Sequence, residues 1–205
     1  MPSDTFNHLN SAKKSIIFSA LVQEFSQHPI SEAQVARIIK SAGISRGAFY
    51  KYFDDMIDSY QYVYREVLSG IHGGLIEELY KNPQDTLLAF YKYTADFTRQ
   101  LAESDYRDFY ALHWQINQYY LKRRNQSDDN FNRFLPQMNL TIGRLTISDQ
   151  QKVVPIVEFL MNVSHHTIQN VLAGQEVEAS LAKFNVLITV IKDGLVKGEN
   201  HVSGD

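Results

Sequence analysis

Apolar residues recur along the chain at steps of three and four, with no convincing run of strict alternation, and this is the periodicity of helices that bury one face. The pattern predicts about nine helices. The first runs from about Leu9 to Ser26 with Ile17, Leu21 and Phe25 on one side. His28-Pro29 ends it, because a residue before proline is pushed out of the helical region. Ser31-Glu32-Ala33-Gln34 reads as a capping box that opens a second helix, extending to about Ala42. Gly43 tolerates the positive φ of a helix end, and Ser45 caps a short third helix, Arg46 to Phe53. Asp54 or Asp55 starts a fourth, which Ile57, Tyr60, Tyr64, Ile71, Leu75 and Leu79 carry to about Tyr80, with a bend expected at Gly70, Gly73 and Gly74. Five more segments fit 84–103, 105–125, 129–143, 149–173 and 176–197, and Pro155 either begins or kinks the eighth. The expected fold class is all-α. An N-terminal three-helix unit, 1–54, precedes a larger helical bundle, 55–205.

Composition narrows the function classes. A chain of 205 residues that is 44% apolar supports a packed core, and the absence of cysteine excludes disulfides and thiolate metal sites. No apolar run approaches the ~18 residues of a membrane span, and the first dozen residues lack the apolar centre of a signal peptide, so a soluble protein of the cytoplasm is expected, without contact to a membrane. Net charge is only −3, yet residues 1–53 carry +3 and the remainder −6. That asymmetry suits a chain whose first segment alone meets phosphate.

The third helix carries the chemistry. Reading a duplex calls for an element narrow enough for the major groove, and a helix of eight residues, about 12 Å long, qualifies once neighbours hold it. Ala42, Ile44, Ala48, Phe49 and Phe53 supply an inward stripe that Ile38 and Ile39 can cover. Arg46, Gly47, Tyr50 and Lys51 fall on the other side. Arg46 can fork to a guanine edge or clamp a phosphate, and Lys51 offers a point charge. Tyr50 and Tyr52 offer hydroxyls and ring faces, and Gly47 lets the backbone come close. Packing of Tyr50 and Tyr52 on the first and fourth helices stands as the alternative for both residues.

Ala42-Gly43-Ile44-Ser45-Arg46-Gly47-Ala48-Phe49-Tyr50-Lys51-Tyr52-Phe53 matches, at nearly every position, the turn and recognition helix of the TetR family of bacterial transcription regulators, which the chain also resembles in length and helicity. The specific part of the resemblance covers residues 13 to about 60. It implies phosphate and base contacts from Gln34, Ser45, Arg46, Tyr50, Lys51 and Tyr52; a repressor that binds a double-stranded operator, with no cofactor, is the expected function. One departure is Met56, where the family often has a lysine, set among Asp54, Asp55 and Asp58; carboxylates there should repel phosphate.

Aromatics concentrate in 84–138. Phe90, Phe97, Phe109, Tyr110, Trp114, Tyr120 and Phe134, with His113, Asn117, Met161 and His165, form the candidate lining of a pocket for a small, largely apolar or aromatic effector, which the resemblance also implies. Aromatic stripes at helical spacing also fit plain core. The last two helices are apolar around more than one face, so Ile156, Leu160, Val163, Leu181, Phe184, Ile188 and Ile191 are the expected interface of a homodimer built on a four-helix bundle, with a fully buried core of a single chain as the alternative. Two rivals remain: a helix-turn-helix regulator controlled by a protein partner or by no ligand, and a helical enzyme. The enzyme reading finds no support in motifs. His165-His166 are neighbours about 100° apart on a helix and make no metal face, and phosphate-loop, nucleophile-elbow and zinc-protease signatures are missing.

Overall fold

The computed structural model describes residues 2–122 and 135–202. Its helices are α1 (Asp4–Asn7), α2 (Ser11–Gln27), α3 (Val35–Ala42), α4 (Arg46–Tyr52), α5 (Met56–Lys81), α6 (Thr86–Glu103), α7 (Arg107–Leu112), α8 (Gln118–Lys122), α9 (Gln150–Leu172) and α10 (Val177–Val202). A π-helical turn, His113–Asn117, joins α7 to α8, and a hairpin of β1 (Leu140–Ile142) and β2 (Leu145–Ile147) precedes α9. None of the described helices is long and apolar enough to cross a membrane.

The chain forms two compact units. Residues 1–70 and 104–127 make the first, so the boundary drawn at 54/55 falls inside it. Its core follows from the predicted stripe: Ile17, Leu21 and Phe25 of α2 are wholly buried, as are Ile38, Phe49 and Tyr60. Tyr60 packs edge-on against Phe25 and stacks on Phe109 of α7, with centroids 5.0 and 5.2 Å apart.

Residues 71–103 and 128–205 make the second unit. Leu75, Leu87, Phe90, Leu140, Val153, Val157, Leu160 and Phe184 form its centre. The Thr94 and Ser164 hydroxyls, 2.8 Å apart, satisfy each other between α6 and α9, and Arg99 forks onto Glu178 of α10 at 2.8 and 3.0 Å. Lys192 of α10 reaches Asp85 at 2.5 Å.

Several expectations are corrected here. The described part of the segment 129–143 is not helical: 135–137 is a 3₁₀ turn and 140–147 the hairpin. Two three-residue runs, Leu-Thr-Ile and Leu-Thr-Ile, alternate about Gly143, whose φ of 62° makes the tight turn. Each run is too short to register against helical spacing. The hairpin is pinned to the start of α6, since the Thr86 hydroxyl accepts from the Thr141 amide and the Gln84 carbonyl from Gly143.

α5 runs on through the glycines at 70, 73 and 74. A Cβ on Gly74 would sit 3.2 Å from the Tyr93 ring, so this glycine serves packing on α6. The capping box at Ser31 does not form: α3 begins at Val35, and 29–33 is a turn on the Pro29 carbonyl. α9 begins at Gln150 behind Asp149, whose carboxylate accepts from the Gln151 amide, and Pro155 lies within the helix.

Candidate nucleic-acid interface

The turn between α3 and α4 is built as its residues dictate. Gly43 ends α3 at φ 61°, a left-handed conformation in which its own amide and that of Ile44 both reach the Ile39 carbonyl. Ser45 then caps α4, its hydroxyl accepting from the Ala48 amide at 3.1 Å. Inside, Phe49 is fully buried on Phe53. Outside, Gln34, Ser45, Arg46, Gly47, Tyr50 and Lys51 are all exposed, and the Arg46 guanidinium lies 5.7 Å above the Tyr50 ring. Two cations, a phenol and a serine hydroxyl therefore share one side of the turn and helix.

Tyr52 departs from this set. It is 6% exposed and packs edge-on against Phe6, so it belongs to the inner face. A helix of seven residues turns by 100° at each step, and position 52 falls beside 49, not beside 46 and 50.

The acidic stretch after α4 also changes meaning. Asp58 is 2% exposed and accepts from the Asp54 amide, while the Asp55 carboxylate accepts from the Asp58 amide. Two of the three carboxylates that seemed set to repel phosphate are tied into the start of α5.

Sequence spacing gave no hint of what orients α3. Glu24 of α2, 5% exposed, accepts from the Gln34 amide at 2.7 Å and from the Arg37 guanidinium at 2.6 to 3.0 Å. Burial by itself would push this carboxyl up. The Arg37 and Gln34 hydrogen bonds, with the charges of Arg37 and His28, outweigh that and hold it below the usual carboxylate range. The orphan amide at the head of α3 is thus met by a carboxylate ten positions upstream, and Gln34 is left to point outward.

Residues proposed for an effector fall in both units. In the first, Phe109, Tyr110, His113 and Asn117 are buried, and Trp114 and Tyr120 half-buried. The Tyr60 hydroxyl lies 2.9 Å from His113 Nδ1, and Tyr64 stacks on the His113 ring at 4.3 Å. Burial drives the Tyr60 phenol well above its ordinary range, so it stays neutral. The Asn117 carbonyl oxygen accepts from the Ile30 amide at 3.0 Å, tying the π-turn to the loop before α3. In the second unit Phe90 is in the core, and Phe97, Met161 and His165 are half-buried. Phe134 lies outside the described residues.

The expected dimer residues divide as well. Leu160, Leu181, Phe184 and Ile188 are buried within the single chain and do not form a surface; Ile156, Val163 and Ile191 are half-buried beside them. Left outside are Phe159 of α9 and Val186, Leu187 and Val190 of α10, between 45% and 63% exposed. Two apolar stripes run along α10, and the one at 181/184/188 faces α6 and α9.

Gly47 isolates what the fold does not require. Its φ is not in the left-handed region, and an added Cβ would meet only the Ser45 hydroxyl at 4.0 Å. Glycine inside a helix costs about 1 kcal/mol relative to alanine, so packing within the chain gives no reason for it. Gly47→Ala is expected to raise stability by about 0.5–1 kcal/mol while weakening binding to duplex DNA. Thermal unfolding and a binding titration check both signs; a variant that binds as tightly as its parent would exclude close backbone approach here.

Residues 17–58, which run from within α2 through α3, the turn and α4 to the start of α5, match the family model for bacterial regulatory proteins of the tetR family. Among solved structures, the fatty acid degradation regulator FadR from Bacillus halodurans superposes with a TM-score of 0.63 at 16% identity, over 88% of this chain and 96% of that one. A TetR family transcriptional regulator from Chloroflexus aurantiacus J-10-FL aligns at 18% identity over 97% of this chain and 98% of that one, with a TM-score of 0.41. No curated protein matches the sequence. The sequence match centres on the helix-turn-helix, so residues 17–58 form a DNA-binding module of the tetR-family type, and the fold along most of the chain is similar to that of a solved regulator.

Proposed function

We propose that the protein is a cytoplasmic, dimeric repressor whose two α4 helices read the halves of a pseudo-palindromic operator, and which leaves DNA when a small, largely apolar or aromatic effector binds. The observation that carries the DNA reading is the exposed face of α4: Arg46, Gly47, Tyr50 and Lys51 stand outward on a helix whose inner residues are buried and whose both ends are capped. Gln34 and Ser45 add exposed polar groups.

The dimer rests on the outer face of α9 and α10. Phe159, Leu187 and Val190 are large apolar groups exposed there, and two grooves cross between the helices, one lined by Val163, His166, Lys183 and Leu187, the other by Pro155, Ile156, Gly194 and Gly198. Exposed apolar groups arranged along one face favour burial against a second copy related by a two-fold axis. Gly194 and Gly198 have nothing within 4 Å of an added Cβ, so space inside the chain does not demand them; close approach of another helix would.

The effector reading is supported by aromatic surface held half-buried at Trp114 and Tyr120, with the buried His113 ring beside Trp114. It entails two dimer geometries, of which the effector favours one.

The test is selection of duplexes from a random-sequence pool by the purified chain. Two inverted half-sites with centres about 34–36 Å apart, or a multiple, are expected. Recovery of a single unpaired site, or of no enriched sequence, would overturn the symmetric reading.

A further inference from the structure

The first ten residues hold nothing that a nucleic-acid reading uses, yet they are folded onto the recognition helix. Ser3 caps α1, with its hydroxyl 3.3 Å from the Phe6 amide, and Asn10 caps α2 by accepting from the Lys13 amide. Phe6, 2% exposed, is ringed by Tyr52 at 5.7 Å, Phe53 at 5.1 Å and Tyr62 of α5 at 5.0 Å. Lys14 Nζ reaches the Asn7 carbonyl at 2.8 Å and ties the end of α1 to α2.

The hydrogen bonds of Ser3 are more specific. A helix leaves its last carbonyls without amide partners. In α4 the Phe53 amide closes on the Phe49 carbonyl, and the carbonyls beyond it have no helical donor to meet. Ser3 takes two of them: its amide donates to the Tyr52 carbonyl at 3.0 Å and its hydroxyl to the Lys51 carbonyl at 2.6 Å. A helix this short is only about 10 Å long, so a small displacement at its C-terminal end alters the tilt of the whole reading face. Lys51 lies on that face, and its own backbone carbonyl is one of the two that are held.

We propose that residues 3–9 are a positioning clamp for the recognition helix, with Ser3 as its C-terminal cap and Phe6 as the wedge that seats Tyr52 and Phe53 against α5. Ser3 and Phe6 touch no DNA; they set the orientation in which Arg46 and Lys51 meet it. The clamp rests on the reading of α4 as the recognition helix. It accounts for Tyr52 being buried, because without Phe6 that ring loses a principal apolar neighbour.

The experiment uses full-length protein and a duplex selected from a random pool by the unaltered chain, with an unrelated duplex of equal length as reference. Ser3→Pro is the sharp variant, since the Ser3 φ of −68° suits proline while the change removes both the amide and the hydroxyl. Phe6→Ala removes the wedge and Phe6→Leu retains an apolar one. Loss of two hydrogen bonds at the helix end is expected to weaken the selected duplex about five- to thirtyfold in Ser3→Pro. Affinity for the unrelated duplex should change by less than about twofold, because phosphate attraction survives a tilted helix. Phe6→Leu should recover most of what Phe6→Ala loses.

A folded Ser3→Pro protein that binds both duplexes as its parent does overturns the clamp. So does an equal loss on both duplexes. Should Phe6→Ala fail to fold, Ser3→Pro decides. Arg46→Ala with Lys51→Ala serves as control: if that variant loses the selected duplex while Ser3→Pro keeps it, only the clamp falls, and if it too binds normally, the assignment of α4 falls instead.

Discussion

Alanine at Arg46 and Lys51 is expected to remove most specific DNA binding while leaving the fold intact. Both side chains are exposed, and the contact seen for the Arg46 guanidinium within the chain is with the Tyr50 ring, 5.7 Å away. Surface changes of this kind shift stability by about 0.5 kcal/mol or less. Binding should respond far more strongly. A cation that forks to a guanine edge contributes about 1–3 kcal/mol of discrimination, so the double variant should lose roughly 2–6 kcal/mol if each reads a base. If either grips phosphate instead, affinity falls on all sequences and the salt dependence becomes shallower by about one counterion per residue removed. Titration of the selected duplex at three salt concentrations separates these outcomes. Parental affinity and slope in the double variant would show that another surface meets DNA.

Glutamate at Leu187 and Val190 together is expected to split the proposed dimer into monomers. Burying a leucine or valine side chain stabilises by about 1.5–3 kcal/mol, each change occurs twice across a two-fold interface, and four carboxylates would be brought together in apolar surroundings. A loss of at least about 6 kcal/mol, some ten-thousandfold in the dissociation constant, should follow. The fold should persist, since both residues are exposed in the single chain, at 45% and 63%. Phe184→Ala makes the contrast. That ring is 1% exposed in the core of the second unit, so truncation should cost about 3–5 kcal/mol of stability through the cavity it leaves. Sedimentation and thermal unfolding of the two variants distinguish an outer face from an inner one. A Leu187/Val190 variant that sediments as its parent would place any interface elsewhere.

How much of this was legible beforehand differs by element. The turn Gly43-Ile44-Ser45 was readable because each step is local: a positive φ at glycine, then a serine hydroxyl three residues before the amide it caps. The hidden face of α2 was readable for the same reason, as Ile17, Leu21 and Phe25 recur at the helical repeat. Ser31 looked like a cap and is not one, because Glu24 supplies the acceptor from across the fold. The hairpin at 140–147 escaped notice since three residues are too few for a period to emerge. α10 showed its wide apolar circumference, but the choice between the 181/184/188 stripe and the 186/187/190 stripe depended on where α6 and α9 lie.

The candidate site divides along the same line. Arg46, Gly47, Tyr50 and Lys51 could be placed from spacing alone, and the structure leaves them exposed. Tyr52 could not, because a ring two positions from Tyr50 turns inward only if something is there to receive it, and Phe6 is that receiver. Asp58 read as a repulsive surface charge until its carboxylate met the Asp54 amide.

By itself, then, the sequence determined the helical class of this protein, the position of its helix-turn-helix and the outward chemistry of α4, all of which follow from interactions within a turn or two of chain. Only the tertiary structure decided which apolar stripe of α10 is core, that Glu24 heads α3, and that the first residues hold the end of α4. Those outcomes rest on partners such as Ser3 and Lys51, 48 positions apart, and no local periodicity encodes which distant group will arrive to satisfy an unpaired carbonyl.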